Sequence, residues 1–314
     1  MSTANSHERL AIDGGAPVRT QPWPAWPRAD EREWVEVIEP ALRAVYMSRV
    51  EGLPGPRARN FADEFAQWCG VDWGVMTPHG TDALMAALAG ALDLDGLRDP
   101  GEVIVPAYTF IATASAPLAV RCQIALADVD PETYTLDPTA VESMIGPDTV
   151  AVVAVHLGGQ PADMETLGEV ASRHGLALIE DCAQAHGAAW RGRRVGSWGD
   201  CGAFSFQSSK NLTSGEGGCV TTADFDLFER VVSFVDVGRR PHGERWEYPR
   251  LGWNYRPSEY LAALLAARLP SLEDDLLRRS ANAAYLSGLL SPFDGLDAPC
   301  LAAGASSHAY HLYM

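Results

Sequence analysis

The amino-acid sequence predicts an α/β fold in which helices cover both faces of a mostly parallel, mixed sheet. Apolar runs rich in β-branched residues recur between Trp73 and Thr222, and helix-like segments separate several of them. Apolar strands that alternate with helices are typical of parallel sheets buried on both faces. The predicted strands span residues 73–77, 102–106, 123–128, 149–155, 176–181, 202–206 and 218–222. The clearest helix-like segments between them span residues 81–92 and 164–175.

Two further regions flank this sheet. Residues 1–60 are predicted to form an N-terminal arm, rich in proline and tryptophan, with a helix from about Glu31 to Tyr46. Residues 61–256 then form a large, ligand-binding domain. Residues 257–314 begin a smaller C-terminal domain with a long helical run that is broken near Pro270.

Composition excludes several functional classes. The formal net charge is −17 and the acidic residues are dispersed, which argues against nucleic acid or another polyanion as a partner. No apolar run approaches the roughly 18 residues of a membrane span, and the first residues lack a secretion signal, so a cytoplasmic protein without a membrane partner is expected. The six cysteines form no CxxC pair, and no metal site is predicted. A catalytic thiol at Cys182 is a weaker alternative.

One lysine occurs in the chain, Lys210, among 24 basic residues. Arginine therefore serves almost everywhere that a cation is needed. A guanidinium stays protonated and forms no imine, whereas an amine with a lowered pKa does. Composition alone leaves open that Lys210 is a chance surface lysine.

The segment from Phe204 to Gly218 surrounds this lysine. A predicted strand runs into a polar turn, presents Lys210 and returns through several glycines, which allow close approach of a ligand. Ser205 is placed to donate to a phosphate beside the lysine. The segment is not a Walker A loop, because the lysine precedes the glycines. An ordinary hairpin with one exposed lysine is the alternative.

A carboxylate ends another predicted strand. Asp181 closes the strand of residues 176–181, and a buried carboxylate needs a cation or hydrogen-bond donors. A pyridinium nitrogen meets that need. Gln184 follows, where it is able to face a cofactor ring, while His186 is predicted to be a packing residue. A helix cap or a structural ion pair at Asp181 is the alternative.

Two more strand ends carry candidate ligand contacts. Gly80 and Thr81 open a helix after the first strand, and free N–H groups at a helix start attract anions. Tyr108 and Phe110 follow the second strand, where an aromatic face would stack on a planar ring. Simple capping by Thr81 and core positions for the aromatics are the alternatives. Together, the four strand ends offer a phosphate cradle, a stacking ring, an acid for a pyridine nitrogen and an imine-forming amine, a set that matches pyridoxal 5'-phosphate (PLP).

At these residues the chain resembles the DegT/DnrJ/EryC1/StrS aminotransferases, a branch of the fold-type I PLP-dependent transferases. The resemblance covers roughly residues 10 to 314, and its segments are GTDAL, EVIVPAYTFIATA, AVHLGGQPADM, LIEDCAQAHGA, RGRRVGSWGD, FSFQSSKNLTSGEGG and LGWNYRPSEYLAALLAARL. It implies that Lys210 forms the Schiff base with PLP and moves the proton. It also implies that Asp181 pairs with the pyridine nitrogen, that Gln184 lies against the ring or its phenolic oxygen, and that Phe110 stacks.

The same resemblance implies how the phosphate is held. Gly80, Thr81 and Ser205 would bind it within the subunit, and Asn254 would reach the phosphate of a neighbouring subunit. A homodimer with shared active sites is therefore expected.

The resemblance also implies the reaction. Dehydratases of the family carry histidine in place of the lysine, so Lys210 favours transamination. The expected reaction moves an amino group from glutamate or glutamine to a keto group of a cyclic polyol or nucleotide-linked ketosugar, in antibiotic, secondary-metabolite or sugar biosynthesis. The form QSSKNLTSGEGG is most similar to ketocyclitol aminotransferases and aminohydroxybenzoate synthases. A catalytically silent partner subunit and a PLP-dependent sugar dehydratase remain alternatives. A nicotinamide-dependent dehydrogenase lacks its GxGxxG.

Two features depart from the family pattern. His79 stands before Gly80, where a small residue is common. The chain stops at residues 308–314, within a strand that the family continues, so a truncated small domain is expected.

Overall fold

The computed structural model describes residues 11–17, 19–27, 30–48, 55–95, 99–242, 244 and 246–314. Part of the predicted N-terminal arm, including residues 1–10, lies outside these described residues. Within them, the strands are β1 (Trp73–Thr77), β2 (Glu102–Pro106), β3 (Gln123–Ala127), β4 (Thr149–Val155), β5 (Ala177–Asp181), β6 (Ala189–Trp190), β7 (Arg193–Arg194), β8 (Cys201–Ser205), β9 (Gly218–Thr222) and β10 (Ala305–Ser307).

Seven of these strands form the main sheet, in the order β1-β9-β8-β5-β4-β2-β3. All neighbours are parallel except that β9 runs antiparallel to both β1 and β8. The predicted α/β fold with a mostly parallel, mixed sheet is confirmed. Since β9 is antiparallel to both of its neighbours, β1 and β8 run in the same direction. The carboxyl ends of β1, β2, β5 and β8 therefore lie along one edge.

The helices of the described residues cover both faces of this sheet. They are α1 (Glu31–Glu33), α2 (Glu39–Met47), α3 (Pro56–Cys69), α4 (Gly80–Ala91), α5 (Ala112–Ala119), α6 (Pro138–Met144), α7 (Met164–His174), α8 (Phe225–Val235), α9 (Glu259–Arg268) and α10 (Leu272–Leu290). A five-residue π-helical segment, Trp34–Ile38, joins α1 to α2 in the region of the predicted N-terminal helix. A 3₁₀ turn containing Pro270 separates α9 from α10, as the predicted break requires.

Burial on both faces explains the unbroken apolar strands. Val103 and Val105 of β2 pack into the cluster that holds α4 and α8, while Ile104 between them packs into the cluster under α6 and α7. Successive side chains of a strand point to opposite faces, so each face has its own core. Helix α4 is buried at every residue from Ala83 to Gly90 because it lies between the sheet, α5 and α8.

The last residues correct one expectation. Residues 308–314 were expected to lie within a strand. Strand β10 instead ends at Ser307, and the chain after it is irregular. Ala309 and Leu312 donate backbone hydrogen bonds to the carbonyls of Gly159 and Gly158. Tyr310 has a positive φ of 44°, and its N–H donates to Nδ1 of His308. These bonds attach the segment to the loop after β4 and replace a strand ladder.

Within the described residues, no helix combines the length and the apolar character that crossing a bilayer requires.

Candidate active site

Lys210 lies in the turn that follows β8. Its backbone N–H donates to the carbonyl of Gln207 at 2.9 Å, and the Gln207 side chain accepts from the N–H and the hydroxyl of Ser209. Burial lowers the pKa of the Lys210 amine, and the nearby negative charge of Asp181 opposes this effect. A lowered pKa increases the neutral fraction of the amine, which is the form that attacks a carbonyl carbon.

Asp181 ends β5, the strand next to β8, and it is 5% exposed. Its Oδ2 accepts from the hydroxyl of Thr113 at 2.8 Å, and its Oδ1 accepts from the N–H of Ala183 at 3.1 Å. Burial raises the pKa of this carboxyl, while the bonds from Thr113 and Ala183 and the charge of Lys210 lower it. The half-buried amine and the buried acid are therefore close enough for the charge of each to shift the pKa of the other.

The start of α4 lies against the end of β8. Gly80 is the first residue of the helix, and a Cβ added to it would lie 2.5 Å from Cβ of Ser205. His79 is the N-cap residue, but its side chain does not cap the backbone N–H groups of the helix. Its ring instead forms a hydrogen bond of 2.9 Å with the carboxylate of Asp82. The structure therefore brings Gly80, Thr81 and Ser205 together at a helix terminus suited to an anion.

Gln184 is attached to the loop that follows β4. Its Oε1 accepts from the N–H of Gly158 at 2.8 Å. Gly158 and Gly159 both have positive φ angles, 63° and 103°, which glycine adopts without strain. Gln184 is therefore held beside the strand ends of β4 and β5.

The other two predicted residues are exposed. Phe110 is 65% exposed in the segment between β2 and α5, close to the Thr113 that contacts Asp181. Asn254 is exposed, and its backbone forms an isolated antiparallel bridge with Asp236. The described contacts place neither side chain against Lys210 or Asp181, so their predicted roles stay predictions.

Two residues of the site were missed by the sequence analysis. Thr113 contacts Asp181 directly, and its position four residues after Thr109 was the available signal. His311 has a pKa lowered to about 4 by burial first and then by the charges of Lys210 and Arg279, so it lies near the lysine. No local pattern marks His311, because it reaches the site through the fold.

His186 packs among aromatic rings, as predicted. It is fully buried, and its ring lies 5.5 Å from Phe204 and 5.6 Å from Phe206. Burial, followed by the charge of Lys210, lowers the pKa of His186 to about 3. His308 is also buried, and burial lowers its pKa to about 4.

These three histidines predict a loss of stability in acid. In the folded protein their rings stay neutral to about pH 4, whereas the unfolded chain takes up protons below its ordinary value of 6.5. Between these values the unfolded state binds more protons than the folded state. The free energy of unfolding therefore decreases as the pH is lowered, by about 1.4 kcal/mol per unit pH for each histidine. Denaturant unfolding of the cofactor-free protein between pH 7 and pH 4 measures the slope. His186→Leu is expected to flatten it, and an unchanged slope in that variant would contradict the assignment.

A buried network lies behind Asp181. The carboxylate of Glu180 accepts hydrogen bonds of 2.7–3.0 Å from His156 Nε2 and from the N–H groups of Gly196, Trp198 and Gly199. The other ring nitrogen of His156 accepts from Ala162, so the ring is a neutral donor towards Glu180. Cys182 lies close to both, and burial raises the pKa of its thiol. A protonated, buried thiol is a poor nucleophile.

Comparison with known proteins adds independent findings. The sequence model of the DegT/DnrJ/EryC1/StrS aminotransferase family matches residues 35–314. The chain is 42% identical over 316 residues to the L-glutamine:2-deoxy-scyllo-inosose aminotransferase of Streptoalloteichus tenebrarius, covering 97% of this chain and 73% of the relative. It is 41% identical over 319 residues to the enzyme of the same name from Streptomyces fradiae, with the same coverages of 97% and 73%.

Solved structures agree with the sequence relatives. DesV of S. venezuelae, in complex with a ketimine intermediate, superposes with a TM-score of 0.83 at 38% identity, covering 93% of this chain and 77% of DesV. The 3-amino-5-hydroxybenzoic acid synthase superposes with a TM-score of 0.82 at 32% identity, covering 92% of this chain and 74% of that chain. The fold is therefore that of these aminotransferases.

Proposed function

The chain belongs to the DegT/DnrJ/EryC1/StrS aminotransferase family and is an aminotransferase, and from this premise we propose that it moves the amino group of L-glutamine to the ring keto group of a cyclitol, with PLP on Lys210. The names of the relatives support both substrates, since they specify L-glutamine and 2-deoxy-scyllo-inosose. The observation that carries the proposal is the placement of Lys210 after β8 and of Asp181 at the end of the adjacent β5, close enough for the charge of each to shift the pKa of the other, beside the uncapped start of α4.

The residues present fit PLP. The cofactor needs an amine for its aldehyde, an anion for its ring nitrogen and donors for its phosphate. Lys210 is the amine, and it is partly desolvated. Asp181 is a buried carboxyl whose two oxygens accept only one hydrogen bond each from the protein in the described contacts, so each keeps a lone pair for another donor. Ser205 and the N–H groups of Gly80 and Thr81 supply the phosphate donors.

The roles follow from these positions. When bound, PLP supplies an electron sink for the charge left when a proton leaves the α-carbon of the donor. Nζ of Lys210 accepts that proton, because its lowered pKa keeps a neutral amine available. Asp181 would favour the protonated form of the ring nitrogen by holding a negative charge beside it. Phe110 would cover the ring, and Gln184, which is held by the N–H of Gly158, would border it from the loop after β4.

The exposed apolar residues at this edge of the sheet support a homodimer with shared active sites. Tyr108, Phe110 and Ile111 are each more than half exposed beside the site, although they are large and apolar. A second copy that covers them would remove this surface from water and bring its Asn254 to the phosphate. Such patches on a soluble protein mark interaction surfaces.

The test is a pair of half reactions. PLP is added to the purified protein, the visible absorbance band is recorded, and L-glutamine is then added alone. We expect the band to be lost with L-glutamine and to return when 2-deoxy-scyllo-inosose is added, with an aminocyclitol detected by mass spectrometry. A nucleotide-linked ketosugar serves as the matched acceptor and is expected to restore the band poorly.

Other outcomes would contradict the proposal in distinct ways. A product that has lost water without gaining nitrogen would indicate a dehydratase. A PLP band that no amino donor changes would indicate a silent partner subunit. Faster reaction of the nucleotide-linked ketosugar would move the acceptor to that class.

A further inference from the structure

Thr113 connects α5 to the acid of the site. It lies in the first turn of α5, is 1% exposed, and its hydroxyl is 2.8 Å from Oδ2 of Asp181. The two residues are 68 positions apart in the chain, so the contact depends on how α5 packs on the sheet. A buried threonine in this position gives up solvation of its hydroxyl, which the bond to Asp181 offsets.

A second hydroxyl fixes the direction of this bond. Oγ1 of Thr109 lies 2.8 Å from Oγ1 of Thr113. A hydroxyl has one proton, and an ionised carboxylate only accepts. With Asp181 ionised, Thr113 donates to Asp181 and accepts from Thr109. The half-buried Thr109, between Tyr108 and Phe110, therefore starts a chain of donors that ends on the buried acid.

The carboxylate is held at both oxygens. Oδ2 accepts from Thr113, and Oδ1 accepts from the N–H of Ala183 at 3.1 Å. Rotation of the carboxylate about its bond to Cβ would break both contacts at once. Without the hydroxyl of Thr113, the one remaining hydrogen bond, from the N–H of Ala183, would not prevent that rotation.

We propose that Thr113 is a positioning residue of this active site, whose hydroxyl holds the Asp181 carboxylate, as an anion and in one orientation, for the ring nitrogen of the cofactor. Thr109 supports it by donating to Thr113. The inference rests on the proposed function, because it presumes that Asp181 meets that nitrogen.

The electrostatics of Asp181 agree with this role. Burial raises the pKa of the carboxyl, and the bond from Thr113 is the strongest influence that lowers it, ahead of Ala183 and Lys210. The influence of Lys210 requires a charge on its nitrogen, whereas the hydrogen bond from Thr113 does not depend on the protonation of the lysine.

Threonine also brings a methyl group, so the test separates the hydroxyl from the packing. Thr113→Val keeps the shape and removes the donor, and Thr113→Ser keeps the donor and removes the methyl group. The measurements are the PLP dissociation constant by absorbance titration, and kcat and KM for L-glutamine. Circular dichroism of each cofactor-free variant checks the fold.

We expect Thr113→Val to raise the PLP dissociation constant and to lower kcat by about tenfold or more, the value of a hydrogen bond to a charged group. The KM for L-glutamine should stay within about threefold, and Thr113→Ser should stay within about threefold of the wild type in all three quantities. A Thr113→Val variant that matches the wild type overturns the inference. So does a Thr113→Ser variant as impaired as Thr113→Val, because packing would then be the cause.

Two further arms keep the outcome decisive. If Thr113→Val does not fold, Thr109→Val is used instead, and it is expected to weaken PLP binding by about threefold while Thr109→Ser does not. Unchanged binding in Thr109→Val would then overturn the inference. A wild-type protein that binds no PLP refutes the proposed function and this inference together. Normal binding by the wild type and Thr113→Val alike refutes the inference alone.

Discussion

Lys210→Arg is expected to abolish transamination, with a fall in kcat of at least about 10³-fold, because one residue supplies both the bond to the cofactor and the proton transfer. Arginine keeps a positive charge near Asp181 but forms no imine. Borohydride reduction of the PLP-saturated protein, followed by peptide mass spectrometry, should label position 210 in the wild type. It should label no side chain in the variant, because Lys210 is the chain's only lysine.

The single lysine permits an unusually clear control. Arg173→Lys places an amine on the surface of α7, where Arg173 pairs with Glu142 at 2.8 Å. The double variant with Lys210→Arg regains a lysine but should stay inactive and unlabelled. Activity or labelling in that double variant would show that any lysine suffices, and the assignment of Lys210 would fail.

Mixing Lys210→Arg with Asn254→Ala should restore activity if two subunits share each site, since one mixed site then keeps both residues.

Asp181→Asn is expected to separate activity from stability. The amide carries no charge, so the ring nitrogen loses its anionic partner. Without the anion the ring nitrogen would lose its proton more easily and the electron sink would be weaker, so we expect kcat to fall by roughly 10²-fold or more, about 2.7 kcal/mol in the activation barrier. Steady-state kinetics with saturating PLP measures this loss.

The cofactor-free protein should respond in the opposite direction. Burial raises the pKa of Asp181 above its unfolded value of 3.8, so the ionised form costs folding free energy at pH 7, and this cost disappears as pH falls through the folded pKa. Asp181→Asn should therefore be at least as stable as the wild type at pH 7 in thermal unfolding. The control is Asp137→Asn at the N-cap of α6, away from the site. Asparagine also caps helices, so this variant should change neither kcat nor the thermal stability. A variant that is active, or one that is inactive only because it unfolds, would contradict the role given to Asp181.

Most of the sheet was predictable because its residues are locally consistent. Each main strand was predicted to within one residue at either end, since its apolar run is bounded by turn residues. Within the main sheet, β9 is the strand that runs antiparallel to its neighbours. It follows β8 through residues 206–217, which form no helix, whereas parallel strands are usually joined through a helix. Strand order was not predictable in this way, because it depends on which distant runs pair.

The residues of the site divide in the same way, into those that the strand pattern predicts and those that only the packing of distant segments brings to the site. Lys210, Asp181, Ser205 and Gly80 stand at or just after strand ends, so the strand pattern alone placed them on one edge. His311 and Thr113 follow no strand of the main sheet directly. The wrong expectation of a strand at residues 308–314 has the same origin, because their partners are the carbonyls of Gly158 and Gly159 on a distant loop.

The chemical groups of this protein are readable from its local patterns: one lysine amine, an acid at the end of a buried strand, and a helix start open to an anion. Periodicity and turn residues are local, so they are readable without a fold. The state of those groups depends on the packed fold, which lowers the pKa of Lys210, raises the pKa of Asp181 and brings the hydroxyl of Thr113 to that carboxylate. Desolvation and hydrogen bonding depend on neighbours from distant parts of the chain, and those neighbours exist only after the strands and helices have packed.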